Sequence, residues 1–509
     1  MNRIYALIFL MLVSPGARAE PLALEQEFAD ALPAYVFGVQ VRLIGGAIVE
    51  LAPLKSFFES RSFASIFVGA NNQPTPVAAA FKEAVSKAGV RGLNPEDYWS
   101  KDMDSRWSPS SREQAIELEL LLAQSFLRFS SDLAGGRVDP ASIDNEIDFR
   151  RRPVTDYNVL NGIVSTAENV KVGLDSLEPK HPSYERLKQN LARYLDLRAN
   201  GGWKALVAQK KLQLGMSSQA VPALRERLGI TGQLSAVDAA DPIPLFDDTL
   251  RTAVVTYQRQ HGLTADGIVG PQFYTSLNIP VEKRIQMVAA TMEKWRWLPQ
   301  NLGERYIFVN LARQELQVVE NLQPIIKMKV VVGRVLRRTP SLADQVVDVA
   351  LNPYWNVPQN LVLKDVLPGV KADPNYFASL GMKVFTPDGA TEIDPATIDW
   401  KNVSPTTVNY RFRQEPGVHN SLGIVKFNLT NSRAIYMHDT PHKELFPEPT
   451  RYFSSGCVRL EKPLELAEYL LKDTGLWEMK KIKEFTKLPV NPDYRIPLAR
   501  PIPVYLVHL

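Results

Sequence analysis

The apolar positions change period along the chain. Up to about residue 200 they recur at helical spacing. Ile116, Leu120, Leu121 and Leu127 predict a helix over 111–129, with Glu113 and Glu117 in its first turns. Tyr184, Leu187, Leu191, Tyr194 and Leu195 predict a second, ended by Gly201-Gly202. The stretches 91–98 and 135–140 are turn-rich connectors. Between 210 and 280 a compact unit follows, with one helical pattern through Val221, Leu224 and Leu228 and another through Leu250, Val254 and Tyr257. A linking helix is expected over 281–292. Beyond it, β-rich runs at 306–311, 315–319, 325–332 and 346–351 predict strands separated by short polar turns. Residues 359–415 are proline-rich and weakly periodic, and too long for an ordinary loop, which suggests a functional lid. Strand patterns resume at 423–429 and 435–438; 463–471 reads as a helix and 503–508 as a last strand. The expected class is multidomain α+β: a helical scaffold (20–209), a small unit (210–280), a linking helix (281–304) and a β-rich domain (305–509) with an inserted lid.

The first nineteen residues change the picture of location. Asn2-Arg3, an apolar run over 4–13 and Ala17-Arg18-Ala19 have the form of a secretory signal peptide, which points to export to the periplasm. An uncleaved anchor with residual membrane association is the alternative. No later run of about eighteen apolar residues occurs. The formal net charge is only +4, without a long Lys/Arg block, so nucleic-acid binding is unsupported.

The single cysteine, Cys457, rules out an internal disulfide. Its flanks, Ser454-Ser455-Gly456 and Arg459, are small or polar, which argues against a core position. His438 lies upstream at the end of a strand-like run. An imidazole can deprotonate a thiol, a glycine before the nucleophile lets backbone N–H groups approach an oxyanion, and Arg459 adds charge that favours thiolate. These are the parts of a cysteine acyl-transfer site. His438 and His442 also share the i, i+4 spacing of zinc sites. Pro441 between them and the lack of a third ligand disfavour a metal. His419 reads as a surface residue.

Two resemblances add to this. Gln258, Gly262, Leu263, Asp266, Gly267 and Gly270 fit the Q-x-x-x-G-L-x-x-D-G-x-x-G pattern of the three-helix peptidoglycan-binding module, which implies that fold for 210–280. Arg413-Gln414-x-Pro416-Gly417, Asn420-x-Leu422-Gly423-x-x-Lys426-Phe427, Tyr436-x-His438-Asp439-Thr440-Pro441 and Ser454-Ser455-Gly456-Cys457-Val458-Arg459 resemble the L,D-transpeptidases of the bacterial cell wall in their long periplasmic form. So do Glu293-x-Trp295-Arg296-Trp297 and Asn352-Pro353-Tyr354-Trp355.

The resemblance implies that Cys457 is the nucleophile and His438 the base, oriented by the main-chain carbonyl of Asp439. It implies an oxyanion hole from backbone N–H groups around Cys457, Gly456 among them, and substrate positioning by Arg459 and Ser455. Ser454, Tyr354, Trp355, Phe427, Asn428 and Tyr436 are further substrate-binding candidates, with packing the other reading for Tyr354, Trp355 and Phe427. The implied reaction needs no cofactor. It passes a tetrapeptide stem through a thioester, releasing D-alanine, to the amine of a second stem's diamino acid, giving a 3→3 cross-link. Water as acceptor gives an L,D-carboxypeptidase, a lipoprotein is another acceptor, and a non-catalytic wall-binding scaffold stays open. Carbapenem acylation of Cys457 is implied as well. The long form usually continues past a strand like 503–508, which raises the expectation of an uncovered sheet edge or a terminus at the groove.

Overall fold

A computed structural model describes residues 30–33, 41–44, 47–152, 154, 156–373, 375–417, 419–487 and 493–509. The proposed signal segment lies outside the described residues. The chain divides into two compact units. One comprises residues 1–137, 151–199 and 285–297; the other comprises 138–150, 200–284 and 298–509.

The first unit is helical around one long element, Arg112–Gly135. Ser111 caps it by accepting the Gln114 N–H. Its buried face packs Leu118, Leu122, Phe126 and Phe129 against Phe57, Phe67 and Phe81. Glu119 lies on that same face, fully buried, and accepts the N–H groups of Ile66, Phe67 and Val68, each at 2.8 Å. A carboxylate is the right group for a turn presenting three donors, since it offers two oxygens and no proton of its own. The helix Pro182–Ala199 supplies Tyr184, whose hydroxyl accepts from the buried Arg296 at 2.9 Å. Arg296 belongs to the helix Val281–Trp297, which runs five residues beyond the expected end at 292.

In the second unit, helices Val221–Ile230, Asp248–Gln260 and Pro271–Leu277 enclose a core of Leu224, Leu228, Val254, Tyr257 and Phe273. The Gln258 amide nitrogen donates to Asp266 Oδ1 and the Ile268 carbonyl, while its oxygen accepts the Gly267 N–H. Gly267 sits at φ +74°, where a side chain would be strained. The motif thus closes the loop that joins the second and third helices.

The β-rich part is a closed ring of eight strands. We number nine strands: β1 (Arg305–Asn310), β2 (Glu315–Glu320), β3 (Gln323–Gly333), β4 (Ser341–Leu351), β5 (Val425–Leu429), β6 (Met437–His438), β7 (Tyr452–Ser454), β8 (Val458–Leu460) and β9 (Tyr494–Val507). Around the ring the order is β5-β6-β8-β3-β2-β1-β9-β4, and β4 pairs back onto β5; β7 pairs with β3 off this path. The interior holds Val318, Val330, Val349, Phe427, Met437, Val458 and Leu506, with the helix Pro463–Leu471 packed on it.

Two expectations need correction. The last strand begins at Tyr494, nine residues earlier than read, and β9 is no exposed edge: it pairs with β1 on one side and β4 on the other. Nor is 359–415 irregular. Residues Met382–Phe385, Glu392–Ile393 and Arg411–Gln414 join Trp355–Asn356 in a four-stranded sheet. A separate core of Val362, Val366, Phe377, Val384 and Phe412 holds it to short helical segments. Strands of two to four residues interrupted by prolines leave too few repeats for the period to be visible in sequence.

Candidate active site

Strand alternation builds the site. On β6, Met437 faces the core and His438 the opposite side; on β8, Val458 faces the core and Arg459 the opposite side. The two strands run parallel, pairing Met437 with Val458 and His438 with Arg459. On the other flank β5 pairs Lys426 with His438. Tyr436, His438, Cys457 and Arg459 therefore converge on a cavity of about 880 Å³. Its other walls come from the turn after β3, from Trp355 to Asp365 at the start of the insertion, and from Ser432 to Ile435.

The turn carrying Cys457 is held by Ser454. This buried hydroxyl donates to the Cys457 carbonyl at 2.6 Å and accepts the Gly456 N–H at 3.1 Å. Gly456 adopts φ +127°, a backbone that side chains rarely take, so the turn demands glycine here. Its N–H, expected among the oxyanion donors, is engaged by the Ser454 hydroxyl in this structure.

His438 is 4% exposed, and its Nδ1 lies 2.5 Å from the Asp439 carbonyl oxygen. A carbonyl only accepts, so Nδ1 carries the proton and Nε2 keeps its lone pair. Burial, then the neighbouring Arg459 charge, push the imidazole down to about 3, so it is neutral near pH 7. The carbonyl is itself fixed: the Asp439 carboxylate accepts the Ile424 N–H at 3.0 Å and pairs with Lys443. Gly423 passes so close to that carboxylate, at φ +63°, that a Cβ there would overlap it.

The Cys457 thiol donates to the Ala434 carbonyl over 3.8 Å. Burial raises its pKa, and hydrogen bonds with Tyr436 and then the charges of Lys426 and Arg459 only partly oppose the rise. The expectation that Arg459 favours thiolate is right in sign and outweighed in size. The resting pair is a neutral thiol with a neutral imidazole, so deprotonation would accompany attack. Tyr436 has Trp355 and the Cys457 thiol as its polar neighbours, with Lys426 Nζ 4.3 Å from its ring centre.

Of the sequence-derived candidates, Cys457, His438, Gly456, Arg459, Ser454, Ser455, Trp355 and Tyr436 line the cavity. Asp439 touches it through the His438 hydrogen bond. Three are elsewhere. Phe427 is fully buried in the ring interior, because it alternates with Lys426 on β5. Asn428 binds Asp348 at 2.5 Å on the neighbouring strand. Tyr354 lies under the Arg413 guanidinium, 4.5 Å from its ring centre. Arg334, Arg337, Lys364 and Asp365 line the cavity without having been singled out. The basic turn Gly333-Arg334-Val335-Leu336-Arg337-Arg338-Thr339-Pro340 at the end of a β run was the signal that could have found the arginines. His442 is exposed, with Glu444 3.0 Å from its Nδ1.

Comparison with known proteins accords with this layout. Residues 304–490 match the family model described as the L,D-transpeptidase catalytic domain. The β-rich domain belongs to the L,D-transpeptidase family. Residues 52–191 match a scaffold domain, and 217–277 a "Putative peptidoglycan binding domain". A Haemophilus influenzae protein named "Putative L,D-transpeptidase" is 38% identical over 223 residues, which are 42% of this chain and 45% of that protein. The chain thus spans less than half the length of that curated relative. Among solved structures, an L,D-transpeptidase from Stackebrandtia nassauensis aligns at 13% identity and TM-score 0.23, covering 59% of this chain and 97% of that one. One from Mycobacterium smegmatis aligns at 12% identity and TM-score 0.19, covering 40% of this chain and 58% of that one. No described helix is long and apolar enough to cross a membrane.

Proposed function

We propose that the protein is a peptidoglycan L,D-transpeptidase that forms 3→3 cross-links between stem peptides in the periplasm. The observation that supports the reading is a buried, neutral His438, its Nδ1 held by the Asp439 carbonyl, lining the same cavity as Cys457. His438 takes the thiol proton as sulfur attacks the carbonyl of the third residue of a tetrapeptide stem. The C–N bond to the terminal D-alanine breaks, and that amine leaves carrying the proton returned by His438. The thioester left on Cys457 is then attacked by the side-chain amine of a second stem's diamino acid, which frees the thiol. Arg459, half-buried on the cavity wall with its Nε buried and unpartnered, is suited to a carboxylate or an oxyanion of the substrate. The module at 217–277 is suited to holding the enzyme on the wall polymer, and carbapenems should acylate the same thiol.

Incubation with disaccharide-tetrapeptide, followed by mass spectrometry of the products, tests this. Cross-linked dimer formed by the wild type and absent with Cys457→Ala is the expected result. Free tripeptide without dimer would make the protein an L,D-carboxypeptidase. Neither product, with the stem still bound, would make it a wall-binding scaffold.

A further inference from the structure

The cavity beside Cys457 carries more positive charge than its fold consumes. Six cations line it: Arg334, Arg337, Arg338, Lys364, Arg433 and Arg459. Three have carboxylate partners. Arg337 forms a bidentate pair with Asp365 at 2.5 and 2.8 Å, Arg338 one with Asp144 at 2.6 and 3.1 Å, and Arg433 lies 3.4 Å from Glu146. Among the described residues Arg334, Lys364 and Arg459 have no ion-pair partner. Of these three, Arg334 is framed by hydrogen bonds to the segment that carries Cys457.

That frame is the turn after β3. The Arg334 N–H donates to the Ser454 carbonyl at 3.0 Å, tying it to the strand that leads into Cys457. The Arg337 N–H closes a tight turn onto the Arg334 carbonyl at 2.8 Å, and Gly333 donates to the Thr339 hydroxyl at 2.8 Å. The backbone at 337–339 comes so near Gly333 that no side chain fits there. From this turn, Arg334 Nη2 and Arg337 Nη1 each donate to Ser455 Oγ at 3.1 Å. With two donors already on its oxygen, the Ser455 hydroxyl keeps its own proton to give. Arg337 is occupied by Asp365, whereas Arg334 spends one N–H of five on Ser455. A fork of guanidinium N–H groups beside a hydroxyl donor fits the two oxygens of a carboxylate.

We propose that Arg334, with the Ser455 hydroxyl, forms a carboxylate-binding subsite beside Cys457 that selects peptide donors by a free carboxylate group. The proposal rests on the acyl-transfer function above and adds a specificity determinant to it. Arg334 binds and does not take part in proton transfer, so its loss weakens recognition of one charged group of the donor.

The test uses the full-length protein and tetrapeptide donors in which each carboxylate in turn is free or amidated. The rate of mass gain on Cys457 is measured for wild type, Arg334→Gln and Arg334→Lys. Wild type should prefer one free carboxylate over its amide by about 10- to 100-fold, the range for a charge-assisted hydrogen-bonded contact. Arg334→Gln should bring that ratio close to one, and Arg334→Lys should restore part of it. Because the ratio is taken within each variant, a loss of folded protein does not alter it. An unchanged ratio in Arg334→Gln overturns the subsite while leaving the acyl-transfer reading intact. A wild type that acylates every donor equally overturns it too. Absence of any wild-type acylation overturns both. Which amide abolishes the preference distinguishes the terminal carboxylate from the internal ones.

Discussion

Glu119 in the helical unit and His438 in the β-rich unit are both buried titratable groups, and they are used in opposite ways. Both oxygens of Glu119 are engaged by the fold, through three backbone N–H groups. His438 gives one ring nitrogen to the Asp439 carbonyl and turns its other side to the cavity. Burial drives both toward their neutral forms: Glu119 up to about 7, His438 down to about 3. A buried group whose partners all belong to the fold is structural, and one with a lone pair that opens on a cavity is available for chemistry.

The sharpest way to break this contrast is to remove each group. His438→Gln should reduce the rate of Cys457 acylation by about 10²- to 10⁴-fold, the usual worth of a positioned base. A stopped-flow or quenched mass assay reads it, and a loss below tenfold would deny the imidazole its role. Glu119→Ala should instead act on stability. It orphans three buried N–H groups at about 1–3 kcal/mol each, partly offset by removing a buried charge. Hydrogen exchange at residues 66–68 should accelerate accordingly, and unaltered protection there would show that the carboxylate does not hold the turn.

A subtler change probes the support of His438. Gly423→Ala should cost about 2 kcal/mol or more, from a side chain at positive φ pressed onto the Asp439 carboxylate. Its acylation rate should fall with its melting temperature, since the displaced residue carries the carbonyl that orients the imidazole.

The pH slopes should have opposite signs in the two units. Between about 7 and the ordinary carboxyl range near 4.5, native Glu119 binds a proton that the unfolded chain does not. Its contribution is full below 4.5 and lost as pH rises through 7. His438 is the reverse: between 6.5 and about 3 the unfolded chain binds the proton and the native site refuses it. Its effect is absent above 6.5, and stability falls as pH drops toward 3. Each slope is at most about 1.4 kcal/mol per pH unit. Exchange protection in the helix Arg112–Gly135 against that in β6, followed from pH 7 to 5, should diverge; parallel movement would contradict the assignment. Ser454→Ala, the smallest effect, removes two hydrogen bonds of the cysteine turn and should cost about 1–2 kcal/mol.

Much of this was legible in the sequence, for reasons that differ by residue. The helix Pro463–Leu471 was read to the residue, because proline opens it and apolar spacing persists to its end. That Cys457 and His438 line one cavity was foreseeable because a lone cysteine between Gly456 and Arg459, with a histidine on a strand-like run, is chemically conspicuous. Phe427 was open to a groove or a packing reading because alternation fixes which residues share a face and leaves open which face is inside; it packs. Arg334 and Arg337 went unnoticed because 118 residues separate Arg337 from the Ser455 it bonds, and only the pairing of β3 with β7 brings them together. Glu119 looked like one more charge on an amphipathic helix; its role depends on a turn some fifty residues away.

The most direct test of the account is peptide-mapped mass analysis of the full-length protein after brief exposure to a tetrapeptide donor, across pH 5 to 8. One adduct is expected, equal in mass to the donor minus its terminal D-alanine, located on the peptide containing Cys457. Adduct formation should persist well below pH 6.5, because His438 stays neutral there. An adduct elsewhere, no adduct at any pH, or one whose formation collapses at 6.5 would contradict it.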